Sequence, residues 1–454
     1  MDCLCPVYVM RTELNPETNE GATEGGDRDT DHLELIRCLV HQFGRAAESL
    51  FEYHDFGFPR DVIRRHIDTI EADLGRLRAS GGLDDLGIPE QTLAGQVRGI
   101  WNSKKNLRYA AGALMISNRF RQETRPENRL RASRLKIVYE AFLDTIDDAI
   151  DSGDYNFGDA LDLMRHCLGS LTASSFEESR FREELHDRLL PEQRPMTDLL
   201  TALATAFRRD FHKSPHGAEL RTELERLQTN WILGEAYTMY QKDPTLDVRG
   251  FLAAAGHLPA PDDDLEPWER IAGWISHTAA DTLLDLCFAE TSLSPDALEA
   301  HLNAWFYFDS VVTLTNNAMD LSKDLEEGIA NIFLIARGSE ETKALSRARG
   351  HRPNLSMRDY EEYLARTAEM ARRNLEHAAR SGEDPDSFYP FLAVMAPVVM
   401  FTDETGIRED ILHAYLRSLA PIMREAIAAR PPPIPTIPLG TRSGRSRSAR
   451  TASS

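Results

Sequence analysis

Two segments carry the residue types that a hard divalent cation needs. The first is Tyr139-Glu-Ala-Phe-Leu-Asp-Thr-Ile-Asp-Asp-Ala-Ile-Asp151. On a helix, residues three and four apart share a face, so Asp144, Asp147, Asp148 and Asp151 form one carboxylate stripe. Like charges at that spacing repel. No Lys or Arg is interleaved to relieve them, and Phe142, Leu143, Ile146 and Ile150 mark the helix as a core element. Mg²⁺ would relieve the repulsion, since it takes oxygen ligands and bridges carboxylates to phosphates. The plainer alternative is a solvated acidic face. Asp84-Asp85 and Asp262-Asp263-Asp264 are clusters of that plain kind, set beside Gly or Pro in predicted loops.

The second segment runs from Trp305 to Asn331. Asn316, Asp320 and Asp324 recur at i, i+4 and i+8, a row of oxygen ligands along one helical face. Stepping backwards, the row continues as Val312 and Phe308, with Trp305 beside them. A face that is apolar at one end and oxygen-rich at the other suits a ligand with a greasy body and an anionic head. The alternative is a helix with incidental polar residues, which a buried amide at Asn316 makes less comfortable.

Helices must position both rows, and the chain reads as helical. From Leu33 to about Ala428 the apolar residues recur at helical spacing, with breaks at Gly81-Gly82, Arg125-Pro126, Pro191–Pro195, Ser214-Pro215, Pro259–Pro267, Arg352-Pro353 and Pro385. Roughly a dozen helical segments fit between them, and hairpin signals are absent. The expected architecture is all-α, a single helical bundle over 32–429. Residues 1–31 are polar and Gly-rich, and 430–454 are Pro/Arg/Ser-rich; both read as disordered tails.

The 454 residues hold 52 Lys and Arg against 73 Asp and Glu, a formal net charge of -21. That balance disfavours nucleic acid and anionic membranes as partners. A diphosphate could bind only through a bridging cation or a local basic cluster. Cys3, Cys5, Cys38, Cys167 and Cys287 show no zinc spacing and no disulfide framework, so reduced cytoplasmic thiols are expected. The N-terminus has no secretory pattern, and no apolar run is long enough to span a bilayer. The most apolar window, Phe391–Phe401, holds Pro397 and reads as a buried core helix.

The two motifs together resemble a known family. Asp147-Asp-Ala-Ile-Asp151 matches the DDxxD motif shared by class I terpene synthases and trans-prenyl diphosphate synthases. Asn316-x-x-x-Asp320-x-x-x-Asp324 resembles the Asn/Ser/Glu metal triad of the terpene synthases, and Lys323-Asp-Leu-Glu-Glu-Gly328 with Asn331 resembles its usual continuation. A prenyl diphosphate synthase would show a second DDxxD there. The resemblance spans roughly residues 100–430. It departs from the pattern at Asp320, where Ser or Thr is usual, and at Asp324, where Glu is usual. The Arg-Tyr pair of many bacterial members is not visible around Val399–Arg408.

The resemblance implies a helical-bundle enzyme, a monomer or homodimer, that ionises and cyclises a linear prenyl diphosphate. Farnesyl diphosphate is the expected substrate, with geranylgeranyl diphosphate as the alternative. It implies three Mg²⁺ ions held by Asp147, Asp148, Asp151, Asn316, Asp320 and Asp324. Arg270, in Trp268-Glu-Arg-Ile-Ala-Gly273, stands where the family keeps a diphosphate-sensing arginine, and Lys323 would share the neutralisation of the leaving group. Aromatic faces stabilise a desolvated cation by about 2 kcal/mol or more, and Phe142, Trp274, Trp305 and Phe308 are the expected lining. Two rival readings remain. One is chain elongation, which needs a second basic diphosphate site; Lys104, Lys105 and Arg108 are the basic cluster nearest in sequence. The other is a non-catalytic helical scaffold.

Overall fold

The computed structural model describes residues 32–54, 56, 60–83, 96–116, 124–242, 247–327, 329–336, 357–382 and 409–428. Both expected tails, the apolar window at 391–401 and the segment 399–408 lie outside the described residues. Within them the protein is all-α, with sixteen helices and no strand. In chain order these are α1 His32–His54, α2 Arg60–Ala79, α3 Gln96–Trp101, α4 Lys104–Met115, α5 Pro126–Ser152, α6 Phe157–Thr172, α7 Glu178–Arg188 and α8 Met196–His212. They continue as α9 Gly217–Gln241, α10 Val248–Ala255, α11 Pro267–Ile275, α12 Thr278–Leu286, α13 Pro295–Glu327, α14 Ile332–Ala336, α15 Met357–Arg380 and α16 Glu409–Ala428. The count exceeds the expected dozen partly because α3 and α14 are too short to show a period.

The breaks behave as their residues dictate. Gly81 and Gly82 end α2 with φ of 104° and 58°, a region open to glycine and strained for other residues. Pro126 and Pro267 open α5 and α11, where a missing N–H is no loss. Glu266 and Glu269 add a capping box at the start of α11. Asn156 caps α6 by accepting from the Asp159 N–H at 3.0 Å.

Buried apolar side chains from Leu33 to Met423 form one continuous cluster. At its centre lie α5 and α13. Every residue from Leu135 to Ile146 is buried, so the middle of α5 is enclosed on all sides, polar residues included. Lys136, fully buried, pairs with Asp285 of α12 at 2.8 Å. Such a pair adds little net stability but makes either partner hard to lose alone. α13 packs against α11, α12 and α15, and α5 packs against α4, α8 and α12. No described helix is long and apolar enough to cross a membrane. Cys38, Cys167 and Cys287 are free thiols.

Two glycines set the spacing of α9, α11 and α13. A Cβ on Gly234 would lie 2.1 Å from the Trp274 carbonyl oxygen, and one on Gly273 would lie 2.2 Å from the Phe306 ring. The α9–α11 approach is therefore main chain against main chain. Gly234→Ala should destabilise the fold by about 1–3 kcal/mol, the range for overpacking. Gly169→Ala is the control: it is helical, exposed, and has nothing within 4 Å of the added methyl, so propensity should make it neutral or stabilising. Thermal midpoints of the two variants check this, and equal midpoints would refute the close-approach reading.

Candidate functional site

The C-terminal halves of α5, α9 and α13 surround a cavity of about 270 Å³, closed further by α4 and by the α11–α12 junction. Asp144 and Asp147 of α5 line it, and Asn316, Asn317 and Asp324 of α13 line it too. The two acidic segments, more than a hundred residues apart in the chain, thus meet at one cavity. Asp148 and Asp151 are not part of its lining. Asp148 is half-buried, and Asp151 is exposed and pairs with Lys242 at 2.9 Å.

The repulsion along the α5 stripe is relieved from another helix. Lys105, in the first turn of α4, places Nζ 2.5 Å from Asp147 Oδ2, 3.1 Å from Asp148 Oδ1 and 3.4 Å from Asp144 Oδ1. Burial opposes its charge, but Asp147 and Asp144 hold its pKa well above the ordinary lysine value. Burial also pushes the Asp144 carboxyl up, to about 7, with Asp147 and Asp148 adding to the rise and Lys105 opposing it. Glu235, a half-buried α9 residue in the cavity wall, is raised well above its usual range by desolvation and then by Asp147 and Asp151. The site is therefore short of positive charge even with Lys105 and Lys242 in place.

These residues fit a hard divalent cation. Three carboxylates already converge on one ammonium, which stands in for such an ion. Asp144 Oδ2 is buried with no hydrogen-bond partner among the described residues. Across the cavity, Asn331 Nδ2 donates to Asp324 Oδ2 at 2.6 Å and to the Asn317 carbonyl at 2.7 Å. Asn317 Oδ1 accepts from the Ile332 N–H at 2.9 Å. This clasp ties the segment after α13 back to the helix and orients Asp324. Asp320 and Lys323 lie on α13 between these residues, and their side chains are outside the described residues.

Other expected positions fall elsewhere. Arg270 does not line the cavity. Its guanidinium donates to the carbonyls of Leu258, Asp263 and Leu265 at 3.0–3.1 Å, tying down the loop before α11. A diphosphate-sensing role thus finds no geometric support at Arg270. Asp262 and Asp264 of the same loop pair with Arg373 of α15.

The four expected aromatics are core residues instead of lining. Phe142 is five residues from Asp147, about 140° around the helix, whereas Leu143 at four residues is on the cavity side. Phe308 and Trp305 stack edge-to-face with each other at 5.0 Å, about 12 and 16 Å along the axis below Asn316, beyond the cavity floor at Val312 and Thr313. The Trp274 indole donates to the Pro259 carbonyl at 2.8 Å and packs on Phe306. The aromatic lining comes from Tyr109 and Trp231, with His277. A signal for part of it was present in the sequence: Trp231, Glu235, Thr238 and Lys242 recur at i, i+4, i+7 and i+11.

No protein-family model matches the chain, and no curated protein does. Among solved structures, it is similar to a geranylgeranyl pyrophosphate synthase from Corynebacterium glutamicum, complexed with isoprenyl diphosphate and magnesium. The identity is 16%, over 87% of this chain and 98% of that one, with a TM-score of 0.32. At that identity and TM-score the chemistry of this chain rests on its own residues.

If the Lys105 ammonium occupies a cation site, removing it should have two opposite effects. Lys105→Met should lower the metal-free thermal midpoint, by about 1–3 kcal/mol of stability, less than a fully buried pair because Lys105 is 31% exposed. It should also enlarge the rise in midpoint that millimolar Mg²⁺ produces. Thermal melts with Mg²⁺ and with EDTA measure both. A variant whose melt ignores Mg²⁺ would show that these carboxylates do not take a metal.

Proposed function

We propose that this protein is a Mg²⁺-dependent class I terpene synthase that ionises a linear prenyl diphosphate and cyclises the resulting cation. One observation carries the reading: a single cavity has Asp147, Asn316 and Asp324 in one part of its wall and Leu143, Trp231, Ile275 and Val312 in another. In this reading Asp147, Asp148 and Asp151 hold metal from one side, and Asn316, Asp320 and Asp324 from the other. When bound, Mg²⁺ supplies the positive charge that stabilises the departing diphosphate.

The chain's own residues do the rest. Lys105 and Lys242, now paired with aspartates, are cations at the acidic wall that can turn to the diphosphate once those carboxylates have other partners. Asn331 and Asn317 hold Asp324 in place. The apolar wall excludes water from the allylic cation, and Tyr109 and Trp231 present π-faces to it. Farnesyl diphosphate is the substrate this reading assigns first, then geranylgeranyl diphosphate.

Chain elongation is the second reading. That reaction needs a basic site for a second diphosphate, and Lys242 is the one Lys or Arg among the described residues lining the cavity. Cyclisation therefore fits better. Incubation with C10, C15, C20 and C25 diphosphates plus Mg²⁺, followed by gas chromatography, tests it. A cyclic hydrocarbon or alcohol is expected, without incorporation of labelled isopentenyl diphosphate. Asp320→Ala should lower activity by about tenfold or more and raise the Mg²⁺ requirement, while Asp320→Ser keeps more of it. Glu326 lies about 120° around α13 from Asp320, so Glu326→Ala should leave metal dependence near normal. Equal behaviour of Asp320→Ala and Glu326→Ala would remove Asp320 from the metal set.

A further inference from the structure

Next to the cavity sits a second ionisable cluster, which the metal-binding reading does not use. Glu140 lies one helical turn below Asp144 on α5 and is 1% exposed. His277, at the junction of α11 and α12, lines the cavity, and its Nε2 is 2.8 Å from Glu140 Oε2. Asp281, one turn into α12, is 3% exposed and lies beside Glu140. One polar atom from each of the three lies within 4.8 Å of those of the other two. The His277 ring packs edge-on against Tyr109, Tyr139 and Trp231 at centroid distances of 5.9, 6.4 and 6.1 Å. An ionisable ring fixed on that many sides at the cavity wall is an expensive feature to retain without a use.

Burial raises both carboxyls, Glu140 to about 7 and Asp281 well above its usual range. Of the two, Glu140 is the one in direct contact with the ring, at 2.8 Å from Nε2. A carboxylate at Nε2 fixes the imidazole tautomer with hydrogen on Nε2 and a lone pair on Nδ1. This is the arrangement by which a carboxylate orients a histidine base and stabilises the imidazolium that it becomes.

We infer that His277 is the base that ends the reaction, with Glu140 as its positioning residue. The inference rests on the cyclase reading above. In the terminating step a C–H bond beside the cationic carbon breaks, and its electron pair becomes the new C=C π bond. The proton passes to Nδ1 of His277. The resulting imidazolium faces the Glu140 carboxylate at Nε2, which offsets its charge. Substrate and products balance as a prenyl diphosphate giving a cyclic alkene, diphosphate and one proton, so no oxidant or second substrate is required.

The test separates ionisation from termination. Wild type, His277→Asn, Glu140→Gln and Glu140→Asp are incubated with the substrate and Mg²⁺. Diphosphate release and the product profile are both recorded, and thermal midpoints report folding. In His277→Asn and Glu140→Gln the loss of diphosphate release is expected to be smaller than the change in product profile, because ionisation does not use the base. Their ratio of water-quenched alcohol to alkene should rise by about fivefold or more, since the cation outlives its base. Glu140→Asp keeps the charge one methylene further away and should give an intermediate ratio. It also serves as the positioning test if Glu140→Gln does not fold. An unchanged product profile with normal release would overturn the base assignment and leave the cyclase reading standing. Loss of release and product together, in folded variants, would also overturn it. So would a stoichiometric transition metal in the purified protein that Glu140→Gln removes, since His277 would then be a ligand. A wild-type protein that releases no diphosphate from any C10–C25 substrate would end the cyclase reading and this inference with it.

Discussion

Carboxylate repulsion at the C-terminal end of α5 is the constraint on which the rest of the site depends. The helix dipole is negative at that end, and so is the end of α13, yet both carry acidic residues and neither has a basic residue in its last turn. Two such ends facing one cavity would drive the helices apart unless something positive lay between them. Lys105 and Lys242 supply part of that charge from α4 and from the end of α9. The buried contacts Lys136–Asp285 and His277–Glu140 place basic groups against acidic ones deeper in the bundle. Charge demand therefore runs along α5 from its middle to its C-terminus.

The same constraint separates what the amino-acid sequence discloses from what it conceals. The α5 stripe and the α13 row are legible because each is a short-range pattern on one helix. The all-α architecture is legible for the same reason, through its helical period and its Gly and Pro breaks. Lys105 is hidden because its partners are some forty residues away and reach it only through packing. Lys136 and Glu140 are hidden by a different rule: polar residues on a helix read as surface, and the middle of α5 is enclosed on every side.

The lining aromatics show where helical bookkeeping must include rotation and depth. Phe142 is a neighbour of the motif in sequence but faces away from the cavity, and Leu143 takes its place. Trp305 and Phe308 are on the right helix but too deep. Arg270 illustrates the weakness of position alone, since its guanidinium is committed to three loop carbonyls. Trp231 belongs to a helical row with Glu235, Thr238 and Lys242, but Tyr109 comes from a helix that carries no such pattern, and the packed bundle brings it to the site.

The glycine contact between α9 and α11 has a bearing on how such a pocket can change. At Gly234 the wall beside the cavity is made of main chain, pressed against the Trp274 carbonyl. Point mutation cannot trim a peptide group, so evolution has no smaller residue to offer there, and a larger one meets the backbone. Variation in the shape of the cavity is thereby channelled to the facing side chains, Leu143 of α5, Tyr109 of α4 and Val312 of α13. One side of the mould is fixed in the backbone, and the other can be recast one residue at a time.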